Sequence, residues 1–136
     1  MIKGVYGFNV AVRDLSAATE TYEKFLGLKG KHLSTEDFAF PNLVGTEFDL
    51  GGVKINLIAS LSADTSIAKF IEKKGEGFFL VSLEVSGIEN EMTRLKNAGM
   101  QFVSQEPFSG SFGKVNFIHP KSANGVQFEI LELATK

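Results

Sequence analysis

One stretch of this chain repeats the pattern of another, and that repeat restricts the fold more than any other feature. Gly52-Val53-Lys54-Ile55-Asn56-Leu57-Ile58 lines up with Gly125-Val126-Gln127-Phe128-Glu129-Ile130-Leu131, and Phe8-Asn9-Val10-Ala11-Val12 lines up at the same offset with Val81-Ser82-Leu83-Glu84-Val85, placing Gly7 opposite Leu80. Each strand of the second pair, 8–12 and 81–85, leads into a helical pattern, the first stopping at Gly27-Leu28 and the second at Gly99-Met100. Two segments sharing one offset mark an internal duplication, so the chain is expected to build one supersecondary unit twice.

Taken in order, Val5 to Val12 is apolar and β-branched and predicts a strand. Asp14 or Ser16 then caps a helix whose Leu15, Ala18, Tyr22, Phe25 and Leu26 recur on one face, with Gly27 as its stop. A second strand is expected over 29–35, a loop or strand edge over 36–44, and a hairpin of 46–50 with 53–59 around Gly51-Gly52, a dipeptide suited to the positive φ of a tight turn. Ser62 or Asp64 caps a connecting helix carrying Ile67, Phe70 and Ile71, with Lys73-Lys74 in its last turn. The second copy follows: strand 78–85, helix 87–98, strand 100–104, a glycine-rich loop over 109–113, and a final hairpin of 114–119 with 125–133. The expected organisation is a first module over about 1–60, a connector over about 61–77 and a second module over about 78–136, all in one domain of α+β class with strand-helix-strand-strand-strand order in each half.

Composition removes several functions. Fourteen basic against 16 acidic residues give a formal charge of −2, which offers no electrostatic case for nucleic acid or a membrane surface. There is no cysteine, so disulfides, thiolate catalysis and thiolate metal sites are excluded. No apolar run approaches membrane-spanning length and no leader pattern precedes the first strand, so a cytoplasmic location is expected. Thirteen phenylalanines against two tyrosines and no tryptophan suit an apolar, aromatic core or pocket.

Strand side chains alternate between faces. Phe8, Val10, Val12, Val53, Ile55, Leu57, Phe79, Val81, Leu83, Val85, Val126, Phe128 and Ile130 form the set expected to pack on helices. Gly7, Asn9, Ala11, Lys54, Asn56, Ile58, Phe78, Leu80, Ser82, Glu84, Gln127, Glu129 and Leu131 are expected on the other, inward face. The repeat then singles out four equivalent inward positions: Gly7, Asn56, Leu80 and Glu129.

Over nearly its full length the chain resembles the glyoxalase/bleomycin-resistance superfamily, also called the vicinal oxygen chelate superfamily, and within it the methylmalonyl-CoA epimerases. The strings that carry the resemblance are Ala11-Val12-Arg13-Asp14-Leu15, Ile67-Ala68-Lys69-Phe70-Ile71-Glu72-Lys73-Lys74-Gly75-Glu76-Gly77, Leu83-Glu84-Val85, Leu95-Lys96-Asn97-Ala98-Gly99 and His119-Pro120-Lys121-Ser122. The connector string is the most specific. The resemblance implies two βαβββ modules whose curved mixed sheet forms a cup, homodimers, and a divalent metal held by one side chain from each of the four equivalent positions. An epimerase-like chain would carry histidine at 7 and 80, glutamine or glutamate at 56 and glutamate at 129. Only Glu129 matches. Glycine and leucine ligate nothing through their side chains, and one carboxylate with one amide is too poor a donor set for Zn²⁺, Co²⁺ or Mn²⁺. No cofactor is therefore expected, and a metal is disfavoured. A second glutamate that the resemblance would supply as partner base has no counterpart; Phe40 falls in its region. His32 and His119 lie outside the equivalent positions.

Glu129 admits two readings. In an apolar surrounding its pKa would rise and it would abstract a proton beside a carbonyl. Alternatively it is a carboxyl bonded to Asn56 or Ser82 without chemistry of its own. Asn9, Asn56, Phe78, Leu80, Ser82 and Gln127 are candidate ligand contacts. Lys121 and Ser122, with Asn124, lie where the resemblance puts the CoA phosphate end of a ligand. Phe38, Phe40, Phe78, Phe108 and Phe112 are candidates for aromatic walls or for plain packing. Glu47 and Asp49 have no assignable face from sequence. Two functions follow as expectations: a metal-free protein holding a small organic or acyl-thioester ligand, or an isomerase or lyase with Glu129 as general base.

Overall fold

The computed structural model describes residues 1–135, and both copies of the repeat fold on one plan. The first comprises β1 (Ile2–Ala11), α1 (Leu15–Leu26), β2 (Lys31–Leu33), β3 (Leu43–Leu50) and β4 (Val53–Ser60). After α2 (Ser66–Lys74), the second comprises β5 (Gly77–Val85), α3 (Ile88–Asn97), β6 (Phe108–Gly110), β7 (Gly113–Ile118) and β8 (Phe128–Leu133). This is the α+β arrangement of paired βαβββ modules. By contacts the chain divides into an N-terminal unit, Gly7–Phe79, and a C-terminal unit made of Met1–Tyr6 and the chain from Leu80 onward. No helix among the described residues is long and apolar enough to cross a membrane.

In the N-terminal unit the strand order is β2-β3-β4-β1, with β1 parallel to β4 and the other pairs antiparallel. Asp14 caps α1, its side chain accepting the Ala17 N–H, and Gly27 ends the helix in the left-handed region. Val10, Ile55, Leu57 and Phe48 pack beneath Leu15, Ala18, Tyr22 and Leu26 of α1, so the expected alternation holds there. The opposite face is covered at one end by α2: Ala11, Leu43 and Ile58 meet Ile67, with Phe38, Phe40, Phe70, Ile71 and Phe79 around them. Phe38 and Phe40 are thus packing residues.

In the C-terminal unit the order is β5-β8-β7-β6, with β5 parallel to β8. Val85 and Ile130 pack on Ile88, Met92 and Leu95 of α3, joined by Phe102 and Phe128. Burying such side chains contributes roughly 1.5–3 kcal/mol each.

Several boundaries differ from expectation for identifiable reasons. No strand forms over 100–104 apart from a single bridge of Phe102 to Ile118. Backbone bonds from Val103 N–H to Phe117 O and from His119 N–H to Gln101 O flank that bridge, and at Ser104 the fully buried Asn116 takes over through its side chain: its Nδ2 donates to Ser104 O at 2.9 Å and its Oδ1 accepts the Ser104 N–H at 3.4 Å. The edge strand forms instead at Phe108–Gly110, inside what the sequence suggested as loop. Helix α2 is capped by Thr65, whose hydroxyl accepts the Ala68 N–H at 3.0 Å, and neither Ser62 nor Asp64 fills that role. The last strand begins at Phe128, because residues 120–123 make a 3₁₀ turn and Asn124 and Gly125 adopt positive φ.

Candidate functional site

Each unit carries one polar pair on the face of its sheet opposite the helix of its module, and the two pairs occupy equivalent repeat positions. In the C-terminal unit β5 and β8 run parallel with Ser82 in register with Glu129, and Ser82 Oγ donates to Glu129 Oε1 at 2.6 Å. In the N-terminal unit β1 and β4 place Asn9 in register with Asn56, and Asn56 Nδ2 donates to Asn9 Oδ1 at 3.2 Å.

Glu129 is the chemically distinctive member. Its antiparallel neighbour on β7 is Phe117, whose ring centroid lies 6.1 Å from that of Phe108 on β6. One pleat away on the same face are Leu131 and Leu80, both buried. Withdrawal from water in these apolar surroundings pushes the Glu129 carboxyl up to about 7, while the Ser82 hydroxyl pulls in the opposite direction. A carboxyl with that value exchanges its proton near neutrality, which is what a general acid or base requires. Phe117 did not emerge from the sequence as a site residue; the register of the final hairpin is the signal that identifies it.

Asn56 presents a different condition. Its Oδ1 is buried and has no hydrogen-bond partner among the described residues. Glu47 stands directly opposite Asn56 across the β3–β4 pair, and so shares its face, while the alternate residue Phe48 is buried toward α1. Asp49 pairs with Lys54 at 2.7 Å at the strand end.

The positions at which the fold family implies a divalent metal do not provide the ligands. A Cβ built on Gly7 would come within 2.3 Å of the Lys54 carbonyl oxygen, so β4 occupies the space that a ligating side chain at 7 would need. Leu80 is a buried hydrocarbon at 3% exposure. Among the described residues, no group of three or more His, Asp or Glu side chains is placed to hold a metal ion. Asn56 and Glu129 remain, one amide and one carboxyl that favours its proton, and this donor set does not fit a divalent cation.

The remaining candidates make local contacts. Phe78 is 52% exposed and its ring lies 6.0 Å from that of Phe8, which forms a surface aromatic pair. Ser122 Oγ accepts the Gln101 N–H at 3.0 Å, and the Lys121 amide donates to His119 Nδ1 at 3.2 Å, so this segment is tied into its own 3₁₀ turn while the Lys121 side chain is exposed. Gln127 lies just before β8 and its carbonyl accepts the Val81 N–H at 3.2 Å. Phe112 packs over Gly110. His32 is exposed on β2.

Residues 8–118 match the family model described as the glyoxalase/bleomycin resistance protein/dioxygenase superfamily. The chain belongs to that superfamily. It is 32% identical over 124 residues to uncharacterized protein YqjC of Bacillus subtilis, covering 90% of this chain and 87% of that one. It is 34% identical over 125 residues to human mitochondrial methylmalonyl-CoA epimerase, covering 89% of this chain and 69% of the relative. Among solved structures, a hypothetical protein from Bacillus halodurans superposes with a TM-score of 0.86 at 32% identity, covering 97% of this chain and 95% of the other. The superfamily fold and a likeness to methylmalonyl-CoA epimerases, both expected from the sequence, are thereby shown.

Proposed function

We propose that this superfamily member binds a small organic or acyl-thioester ligand without a divalent metal, using the sheet face that carries Ser82 and Glu129. The observation that carries this reading is the state of the four equivalent positions. Glu129 persists in apolar surroundings with its carboxyl near 7, whereas Gly7 and Leu80 are filled by backbone and hydrocarbon. A protonated carboxyl beside a hydroxyl offers both a donor and acceptors to a ligand carbonyl or carboxylate, and Phe117 and Phe108 supply apolar surface beside it. The likeness to human methylmalonyl-CoA epimerase supports an acyl-thioester as ligand class.

A second reading is an isomerase in which Glu129 removes the proton next to the thioester carbonyl. The elevated pKa favours it, because a base near 7 is half-deprotonated at neutral pH. Because the residues at the four equivalent positions do not fit a divalent cation, stabilisation of the enolate would fall to neutral hydrogen-bond donors.

Calorimetric titration with methylmalonyl-CoA, metal analysis of the same sample and deuterium exchange at the ligand α-carbon separate the readings. Binding with no metal and no exchange supports the first, and exchange lost in Glu129→Gln supports the second. Stoichiometric divalent metal in the purified protein overturns the first, and the absence of exchange with an unchanged Glu129→Gln variant overturns the second.

A further inference from the structure

The N-terminal unit holds a row of polar residues that the Ser82–Glu129 pair leaves unexplained. Across the sheet Lys31 of β2 is in register with Glu47 of β3, Glu47 with Asn56 of β4, and Asn56 with Asn9 of β1. Register partners share a face, and the alternate residues Phe48, Leu57 and Val10 pack toward α1, so the row lies on the opposite face. One pleat beyond it, Ala11 and Ile58 are sealed by Ile67 of α2.

The row has acceptors without donors to meet them. Asn56 uses its NH₂ on Asn9 Oδ1, and its own Oδ1 is buried and unpartnered. A buried acceptor left in that state carries a free-energy cost comparable to a lost hydrogen bond, so it calls for an explanation. Beside it the Glu47 side chain makes no hydrogen bond or ion pair among the described residues. The chain's own cations do not answer this. Lys54 is held by Asp49 at 2.7 Å, and Lys31 is exposed on the far side of Glu47 from Asn56, with no ion pair to it within 4.0 Å.

We propose that Asn56 Oδ1 and the Glu47 carboxylate together receive the N–H groups of a primary ammonium, so that this face of the N-terminal unit is a recognition site for an amine-bearing ligand. A primary ammonium matches both acceptors at once. Its three tetrahedrally disposed donors reach a carboxylate and an amide oxygen together, and the bond to the carboxylate is charge-assisted. A neutral amide N–H would satisfy Asn56 and leave the Glu47 charge unanswered, and a divalent cation would find one carboxylate and one amide where it needs several hard ligands.

The test is a titration of the full ¹⁵N-labelled chain with methylammonium chloride, following the side-chain amide signals of Asn9 and Asn56, with sodium chloride and tetramethylammonium chloride as controls. The expected result is a saturable shift with methylammonium only, weakened at least tenfold in Glu47→Gln. The partly exposed Glu47 site makes that variant a folded reporter, and Asn56→Leu, followed through Asn9, is expected to remove saturation. A shift that tracks sodium chloride overturns the proposal. So does saturation by tetramethylammonium, which has no N–H, or unchanged affinity in Glu47→Gln. Methylmalonyl-CoA calorimetry separates this from the broader reading: thioester binding without methylammonium binding removes the ammonium site alone, whereas methylammonium binding without thioester binding removes the thioester ligand and leaves the ammonium site standing.

Discussion

Ser82 and Glu129 face each other across a parallel strand pair and share a 2.6 Å hydrogen bond. The hydroxyl donates to the carboxyl, which favours the ionised form, while burial favours the protonated one; burial is the larger effect and the result is a carboxyl near 7. Removing the hydroxyl in Ser82→Ala is therefore expected to raise the Glu129 pKa further. Carbon-13 detected titration of the Glu129 carboxyl measures this directly, and a pKa that stays put or falls would show that Ser82 does not set the balance.

The same carboxyl gives the protein an unusual pH dependence. The folded pKa of about 7 stands above the ordinary glutamate value of 4.5, so between those values the native state holds more protons at this site than the unfolded chain does. This contribution to stability is fully present below pH 4.5, diminishes as pH rises and is gone above about 7. Its full size is on the order of 3 kcal/mol. Glu129→Gln removes the titration, so the melting temperature of the variant relative to the unmodified protein is expected to rise from pH 5 to pH 8. Parallel pH dependences for the two proteins would be the contrary outcome.

Glu91 behaves oppositely. It is buried at 1% exposure in α3, accepts hydrogen bonds from the amino group of Met1 and from Arg94, and these hold its carboxyl below the ordinary value against the opposing effect of burial. A lowered pKa gives stability that is present above the unfolded value and is lost as pH falls through the folded one. Glu91→Gln is expected to cost about 1–3 kcal/mol at neutral pH, since it removes a charged partner from a buried cluster. The difference from the unmodified protein should shrink toward pH 3. Denaturant melts at pH 7 and pH 3 check both statements, and a difference that widens on acidification would refute the assignment.

The pairs of residues that matter were legible because duplication and strand alternation are both properties of sequence. The offset that aligns Asn56 with Glu129 also aligns Asn9 with Ser82, and the structure joins each couple by a hydrogen bond. What lay beyond the sequence was the next strand over. Placing Glu47 opposite Asn56, and Phe117 opposite Glu129, requires the hairpin register, which in the first hairpin follows from Gly51 and Gly52 both taking positive φ. The absent strand over 100–104 was hidden for another reason: Asn116 bonds the Ser104 backbone through its side chain, and local propensity does not reveal that competition. The aromatic residues misled most. Phe40 falls where the family resemblance would place a partner base, and it packs with Ala11, Leu43, Ile58 and Ile67 because α2 closes that end of the sheet.

Gly7 is where the departure from a metal site is built into the backbone. It sits opposite Lys54 in the parallel β1–β4 pair, and an added Cβ would lie 2.3 Å from the Lys54 carbonyl oxygen and 2.9 Å from the Lys54 Cβ. The carbonyl belongs to a central strand, so it cannot swing away as a flexible side chain would; β1 and β4 must separate locally. Gly7→Ala is therefore expected to destabilise the protein by about 1–3 kcal/mol, although alanine ordinarily suits an extended strand better than glycine does. Gly7→His is expected to cost at least as much. Equilibrium denaturation of both variants decides the matter: a Gly7→Ala protein within about 0.5 kcal/mol of the unmodified one would mean that β4 yields easily, and that a ligating side chain at position 7 is excluded by sequence alone and not by the packing of its neighbour.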